Sequence, residues 1–170
     1  VAGPALVDRA LGVSLTKEDL GGWKVHTRSG IVDNAAESES DAFEQMRMFL
    51  SFMPQNIWNI PDRVHSDDNP NRADEALLSI VPKDGRIPFD MHEVITRVVD
   101  KGSFFEIARF FGQGQIIGLA RLNGAVVGII ANDCVHFAGA MTSHGSQKAK
   151  KMMELCDTFH IPIVNFMDEP

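Results

Sequence analysis

Apolar residues in the second half of the chain recur with the periods of strands and helices. Two strand-like runs, residues 116–122 and 125–130, are joined by Asn123-Gly124, a strong β-hairpin signal because both turn residues must take positive φ. Apolar positions at helical spacing predict a helix over about 145–159, and the run that follows predicts a buried strand at 161–166. A helix followed by an apolar strand indicates an α/β fold.

The first half of the chain carries weaker patterns. Pro4 suits the first turn of a helix and Gly12 suits its end. KEDLGG then indicates a short turn, and HTRSG indicates a loop. A further helix is predicted from a cap at Ser38 or Ser40 to about Phe52. Its apolar stripe consists of Phe43, Met46, Phe49 and Leu50.

Between residues 53 and 74 the composition changes, with three prolines among many asparagines and aspartates. This segment is predicted to be a loop or linker, and a loop of such length usually separates lobes or has a function of its own. Regular structure is predicted to resume with ALLSIV, followed by a helix over about 90–100.

Composition restricts the class of protein. Hydrophobic residues make up 44% and charged residues 23% of the 170 residues, as in ordinary globular domains, and the apolar runs are too short to span a membrane. A net charge of −7 and a pI near 5.3 leave no basic stripe for nucleic acid. The two cysteines, Cys134 and Cys156, form no secreted-type framework, which favours a reducing compartment. Because the sequence begins at Val1 and stops at MDEP just after an apolar run, we expect a piece of a longer protein.

Three glycines resemble a dinucleotide-binding fingerprint. In G-x-G-x-x-G the third glycine would fall at position 117, but that residue is Ile117 and the glycine is Gly118. A predicted hairpin follows Gly112 and Gly114, whereas the motif requires a helix whose N-terminus faces pyrophosphate. We therefore predict that these glycines relieve crowding where strands begin and cross.

Cysteines and histidines cluster near DCVHFAGAMTSHG without a metal-binding spacing. Neither C-x-x-C nor H-E-x-x-H is present, so buried free cysteines and hydrogen-bonded histidines explain these residues better than zinc does. A nucleophilic role for Cys134 is weaker still. The residues concerned are Cys134, His136, His144, Cys156 and His160.

Small residues between the predicted strand and helix have two interpretations. A loop at Gly139 and Ala140 can turn backbone N–H groups toward a bound carbonyl, as oxyanion stabilisation requires, but a tight connecting loop is the simpler interpretation. Lys148, Lys150 and Lys151 are interpreted most simply as the solvated face of the following helix, and contact with a phosphate or an acidic partner is the alternative.

Several blocks in a fixed order resemble the carboxyltransferase (β) subunits of biotin-dependent acyl-CoA carboxylases, a family that includes propionyl-CoA carboxylase and methylmalonyl-CoA transcarboxylase. The blocks are GPALVDRALG, LGGWKVHTRSGI, LLSIVP, FDMHEVITRVVDKGSFFE, GLARLNGAVVGIIAN and KAKKMMELCDTFHIPIVNFMDEP. The order and spacing of the blocks make the resemblance specific.

The resemblance implies a ββα-spiral, crotonase-like fold of the ClpP/crotonase superfamily. Residues 1–52 would end the first carboxyltransferase lobe, residues 53–75 would link the lobes, and residues 76–170 would begin the second lobe. It also implies biotin on a partner subunit or domain and a coenzyme A thioester as substrate. The expected partners are a biotin carboxylase/biotin carrier subunit and further copies in a dimer-built homo-oligomer, expected to be a hexamer, in the cytoplasm or the mitochondrial matrix.

By the same resemblance, backbone N–H groups stabilise a thioester enolate that takes the carboxyl group from carboxybiotin, and the biotin nitrogen takes the α-proton. No catalytic side chain is identified, and the glycine pairs of the family are expected mostly outside these residues. The loop at residues 137–141 is expected to wall the biotin-facing pocket. Substrate-binding residues implied in this way are Gly139, Ala140, Asn132, His26, Ser29 and Gly30.

The loop and helix after the hairpin depart from the family's G-x-L-D and K-A-A-R-F patterns. Here they read AGAMT, from Ala138 to Thr142, and KAKKM, from Lys148 to Met152. The departures leave open the acyl specificity and the direction of the reaction. A biotin-dependent decarboxylase subunit of the same fold and a non-catalytic scaffold therefore remain as alternatives.

Overall fold

A computed structural model describes residues 3–168 as an α/β structure around one mixed sheet. The helices are α1 (Pro4–Leu11), α2 (Lys17–Gly21), α3 (Trp23–Ser29), α4 (Glu39–Ser51), α5 (Leu77–Ile80), α6 (Met91–Val98) and α7 (Ser143–Thr158). The strands are β1 (Phe105–Ile107), β2 (Gln115–Leu122), β3 (Ala125–Asn132) and β4 (Ile163–Phe166). None of the helices within residues 3–168 is long and apolar enough to cross a membrane.

The sheet has the strand order β1-β2-β3-β4, with β1, β2 and β3 antiparallel in turn and β4 parallel to β3. Parallel strands need a crossover connection, and α7 supplies it between β3 and β4. The loop that leads from β3 into α7 therefore lies at the same sheet edge as the end of β4.

Both faces of the sheet are covered, which explains why β2 is almost uniformly apolar. Ile117 and Leu119 belong to the core that includes Met152 of α7, whereas Ile116 and Ala120 belong to the core around α6. A strand buried on both faces loses the alternation of apolar and polar residues that marks a half-exposed strand.

The hairpin and the longer helices are confirmed. Asn123 and Gly124 take φ values of 48° and 75°, as the two-residue turn requires. Of the two candidate caps for α4, Ser38 accepts the N–H of Asp41. The glycine interpretation also holds, since a side chain on Gly118 would collide with the carbonyl of Phe105 on the neighbouring strand β1.

Three local predictions are wrong. HTRSG lies largely in α3 rather than in a loop, and Gly30 ends that helix in the left-handed conformation. KEDLG forms the single-turn helix α2, because Thr16 and Asp19 close a capping box around its start. Strand β4 was predicted to be buried, yet Ile163 is 41% exposed, because β4 is an edge strand in the described sheet.

Two features lie outside these predictions. Strand β1 was not predicted from the sequence at all. The apolar stripe of α4 reaches the core only in part, since Phe49 packs against it while Phe43, Met46 and Leu50 are exposed.

Residues 53–75 contain neither helix nor strand, but they are tied to the hairpin. The N–H of Val64 donates to the carbonyl of Gly124 at 3.1 Å, and the Arg63 guanidinium donates to the carbonyl of Asn123 at 2.7 Å. Arg121 in turn donates to the carbonyl of Asp62. The segment is thus a packed connection, and the division of the chain into two lobes stays a prediction.

Candidate functional site

Two of the predicted binding residues, Asn132 and Gly139, meet at the edge of the sheet where β3 ends. Asn132 is buried, and its side-chain amide donates to the carbonyl of Asp168 and accepts the N–H of Asp168 at 2.6 Å. A Cβ on Gly139 would lie 2.7 Å from the Asn132 Nδ2. Asn132 therefore joins the ends of β3 and β4. Only glycine at position 139 lets the loop pack against the Asn132 side chain without a clash.

The N–H groups of Gly139 and Ala140 are not free for a ligand, contrary to the oxyanion interpretation. The N–H of Gly139 donates to the carbonyl of His136, and the N–H of Ala140 donates to the carbonyl of Phe137, both at 3.0 Å. The cause is a tight turn over Phe137–Gly139 that closes on itself. The substrate-binding roles of these residues stay predictions, but they cannot depend on these two donors in this conformation.

The turn takes an unusual backbone path. Phe137, Ala138 and Gly139 have φ values of 55°, 53° and 79°. This is a left-handed backbone conformation that residues other than glycine seldom adopt. Phe137 and Ala138, which are not glycines, cost about 1–3 kcal/mol each in this conformation, and strained residues of this kind cluster at functional sites. Beneath the turn, the buried amide of Gln115 donates to the carbonyl of Gly139 at 3.4 Å.

Other N–H groups of this loop lack a partner among the described residues. Within residues 3–168, the N–H groups of Phe137, Ala138 and Met141 have no hydrogen-bond acceptor. Ala138 also lines a cavity of about 360 Å³ between the loop and the segment that precedes α6. The walls of this cavity are formed by Val81, Pro82, Gly85, Arg86, Ile87, Pro88, Phe89, Cys134, Ala138 and Asp168. Of these three residues, Ala138 lines the cavity, whereas Phe137 and Met141 are not among its lining residues.

Cys134 joins the two sides of this cavity through hydrogen bonds to Phe89. Its thiol donates to the carbonyl of Phe89 at 3.2 Å, and its sulfur accepts the Phe89 N–H at 3.3 Å. The second cysteine, Cys156, is buried in the core, and burial raises the pKa of its thiol to about 11. The raised pKa of Cys156 disfavours a thiolate nucleophile, which needs a lowered pKa.

The histidines weighed as metal ligands are engaged separately. His144 packs on Phe111 with ring centroids 5.0 Å apart, and His160 contacts the carbonyl of Ile57 at 2.9 Å. No group of three His, Cys, Asp or Glu residues placed to hold a metal ion occurs within residues 3–168.

The other three predicted residues lie around the end of α3. The Ser29 hydroxyl donates to the carbonyl of His26 at 3.2 Å, and the Gly30 N–H closes the helix on the same carbonyl. A Cβ on Gly30, where φ is +78°, would lie 3.0 Å from the ring of Phe111. Since that ring also packs against His144 at the start of α7, Gly30 joins α3 to α7.

Lys148 contradicts its predicted place on a solvated helix face. It is 2% exposed, because it lies on the same stripe of α7 as Gly145, Ala149 and Met152. Burial lowers the pKa of its ammonium to about 8, against the attraction of Glu106, Asp133 and Asp33. Lys150 and Lys151 do lie at the surface, where they pair with Glu154 and Asp33.

A histidine–carboxylate contact that the sequence did not reveal lies just before the loop at residues 137–141. The His136 Nδ1 lies 3.0 Å from a carboxylate oxygen of Asp133, whose side chain is only 10% exposed. The two residues were weighed separately, His136 as a metal ligand and Asp133 not at all. Their three-residue spacing after a predicted strand was the only signal.

A cavity of about 770 Å³ lies elsewhere, between α3 and β1. Its polar lining is mostly acidic, with Asp33, Glu37, Asp41 and Glu106 against the single guanidinium of Arg109. Carboxylates repel phosphate groups, so this cavity is a poor site for a nucleotide-bearing thioester.

Comparison with known proteins identifies the class to which this arrangement belongs. The Carboxyl transferase domain family matches residues 1–170. The chain is 40% identical over its whole length to the methylmalonyl-CoA decarboxylase subunit alpha of Veillonella parvula, and it covers 34% of that protein. It is 37% identical over its whole length to the propionyl-CoA carboxylase carboxyltransferase subunit of Haloferax mediterranei, covering 33%. The chain thus spans about a third of the length of these relatives.

Solved structures that resemble this chain have names of the same kind. Transcarboxylase 12S, solved as a hexamer assembly with hydrolysed methylmalonyl-coenzyme A bound, superposes with a TM-score of 0.93 at 32% identity over 99% of this chain and 33% of its own. A single-chain, multi-domain long-chain acyl-CoA carboxylase superposes with a TM-score of 0.80 at 28% identity, over 99% of this chain and 16% of its own.

The fold and the sequence together define the class of α/β protein. The chain belongs to the Carboxyl transferase domain family. The resemblance and the crotonase-like α/β fold class are thereby confirmed.

Proposed function

We propose that the full-length protein is the carboxyltransferase component of a biotin-dependent acyl-CoA carboxylase. It would move a carboxyl group from carboxybiotin to the α-carbon of an acyl-CoA. The observation that carries this proposal is the family match over residues 1–170, together with relatives named as propionyl-CoA carboxylase and transcarboxylase subunits.

The cavity beside Ala138 is a suitable place for the biotin ring. At about 360 Å³ it falls within the range of small-molecule pockets, and apolar side chains such as Val81, Ile87 and Phe89 form much of its wall. The N–H of Ala138, which has no acceptor within residues 3–168, would supply a donor for a carbonyl oxygen. We therefore assign the loop at residues 137–141 to the biotin side of the site, with Asn132 and Gly139 fixing its position.

The proposed reaction requires hydrogen-bond donors from the chain and no side-chain nucleophile. Carboxybiotin supplies the carboxyl group when it is bound. The N–H of Ala138 stabilises negative charge on an oxygen, and backbone donors of this kind typically contribute on the order of 10²–10³ in rate. Gly30 acts at a distance, because it lets Phe111 and His144 set the start of α7.

The assembly follows from the same proposal. We expect a biotin carboxylase/biotin carrier partner and a dimer-built homo-oligomer, with the hexamer of transcarboxylase 12S as the supporting case. Residues 1–52 and 76–170 would belong to two lobes, and the protein would work in the cytoplasm or the mitochondrial matrix.

A decarboxylase is the second candidate, since a relative with 40% identity is named as a methylmalonyl-CoA decarboxylase subunit. The two candidates differ in the net direction of transfer. The test supplies the purified full-length protein with either carboxylated carrier plus propionyl-CoA or free carrier plus methylmalonyl-CoA, and measures the initial rate each way. Transfer in neither direction, with any acyl-CoA, would overturn both candidates and support a non-catalytic scaffold.

A further inference from the structure

The cavity lined by Ala138 also has a guanidinium in its wall. Arg86 and Asp168 are the two charged residues among those that line it. Asp168 is held through its backbone by the Asn132 side chain at the end of β4, whereas the Arg86 side chain is 90% exposed on the segment before α6. Arg86 is therefore the cation that an anionic ligand of this cavity would meet.

Asp84 fixes the orientation of this guanidinium. The Nε of Arg86 donates to one carboxylate oxygen of Asp84 at 3.0 Å, and the Nη2 donates to the other at 2.9 Å. The carboxylate of Asp84 is held in turn, because it accepts the backbone N–H of Arg86 at 3.1 Å. The direction of the guanidinium is thus set by a short turn and does not depend on a distant element.

One edge of the guanidinium remains for a ligand. A guanidinium carries five N–H donors, and Asp84 occupies the edge formed by Nε and Nη2. The Nη1 of Arg86 has no acceptor within residues 3–168, which leaves the edge formed by Nη1 and Nη2. A carboxylate fits such an edge with two parallel hydrogen bonds, a geometry that lysine cannot offer.

The two kinds of donor in the wall match two groups of carboxybiotin. Carboxybiotin differs from biotin by a carboxylate on a ureido nitrogen, beside the ureido carbonyl. The N–H of Ala138 suits the neutral carbonyl oxygen, and the guanidinium of Arg86 suits the carboxylate. The ring of free biotin presents only the carbonyl.

We propose that Arg86 is a specificity-determining residue that recognises the carboxylate of carboxybiotin and so distinguishes the carboxylated carrier from the free carrier. This inference rests on the proposed function. It goes further, because it names the form of the ligand that the cavity prefers and the side chain that selects it.

Solvent limits the size of the effect. The guanidinium is exposed and therefore screened, and exposed ion pairs contribute little, although two parallel hydrogen bonds strengthen this one. We expect a preference of roughly 3–10-fold for the carboxylated ligand. Removing the charge of Arg86 leaves Asp168 as the charged residue of the wall, so the preference should disappear.

A binding measurement tests the recognition without catalysis. The probes are biotin amide with a carboxymethyl group on the ureido nitrogen that becomes carboxylated, and the methyl ester of the same compound. Calorimetry on the full-length protein should show the acid binding roughly 3–10-fold more tightly than the ester, with a smaller difference in about 1 M salt. Arg86→Gln should bind both probes equally, and Arg86→Lys, which keeps the charge but loses the fork, should retain part of the preference.

Steady-state kinetics give the second readout. Arg86→Gln should raise the KM for the carboxylated carrier roughly 3–10-fold. It should leave unchanged the KM for propionyl-CoA and, in the reverse direction, the KM for the free carrier. The matched control is Arg109→Gln, since Arg109 is also exposed and lies 3.8 Å from a carboxylate, that of Glu106, but lines the other cavity. That variant should keep the wild-type KM values and the wild-type preference for the acid.

The outcomes are separable. Equal binding of the acid and the ester by the wild-type protein overturns this role of Arg86, as does an Arg86→Gln protein that keeps the preference. A raised KM for propionyl-CoA in place of the carrier would assign Arg86 to the phosphates of the thioester and overturn it too. In each of these cases, carboxyl transfer by the wild type leaves the proposed function standing. Absence of transfer by the wild type in either direction overturns the proposed function and this inference with it.

Discussion

Replacing Gly139 with alanine should loosen the junction between the ends of β3 and β4. Two effects add: φ of +79° costs alanine roughly 1–2 kcal/mol, and its Cβ would lie 2.7 Å from the Asn132 Nδ2. Displacing Asn132 breaks its buried hydrogen bonds to Asp168, for about 1–3 kcal/mol more. Gly102→Ala is the matched control, since Gly102 has φ of +70° and a Cβ added there would meet no other atom within 4 Å.

The assay is amide hydrogen exchange in peptides that contain Asp168, measured on the full-length protein. Because Asn132 accepts the Asp168 N–H, Gly139→Ala should speed its exchange by roughly 5–150-fold, the equivalent of about 1–3 kcal/mol. Gly102→Ala should leave it at the wild-type rate. Equal exchange in the two variants would show that Gly139 is needed for backbone conformation alone and that its contact with Asn132 has no energetic role.

Two further predictions concern pH. The pKa of Lys148 is about 8 in the folded protein against an ordinary 10.5, so the unfolded chain binds more protons between these values and stability should rise with pH across that window, by on the order of 3 kcal/mol. Lys148→Met should flatten the rise in Tm with pH, whereas the control Lys150→Met, at an exposed lysine, should leave the rise unchanged. A rise that persists in Lys148→Met would show that Lys148 is not its source. The hydrogen bond to Glu106 raises the pKa of His92, so the stabilisation it gives is complete below about 6.5 and disappears as the pH rises through the folded-state value. Subtracting the Tm of His92→Gln from that of the wild type should reveal this loss, and a difference that grows with pH would refute it.

The elements that the sequence predicted correctly are those with a long repeat or a specific turn. The hairpin was recognisable because Asn123-Gly124 fits only a few turn types, and α7 because its apolar positions persist over four turns. Strand β1 has three residues, too few to display a period. Helix α3 is short and polar, although Gly30 was a stop signal that could have indicated it.

Side-chain environments in the candidate site were harder to predict. Lys148 was assigned to solvent because lysine is seldom buried, yet its position in the apolar stripe of α7 was visible in the sequence. The N–H groups of Gly139 and Ala140 form hydrogen bonds within a left-handed turn, and no residue pattern in the sequence predicts that turn. The pairing of His136 with Asp133 likewise depends on how the chain leaves β3.

We propose that the full-length protein transfers a carboxyl group between biotin and an acyl-CoA. The most direct measurement isolates the full-length protein with its natural partners and follows incorporation of labelled bicarbonate into propionyl-CoA, with and without excess avidin. We predict co-purification of a biotinylated subunit, incorporation into the acyl-CoA, and loss of that activity with avidin. Full activity in excess avidin, or no carboxyl transfer to or from acyl-CoA of any chain length, would contradict the claim.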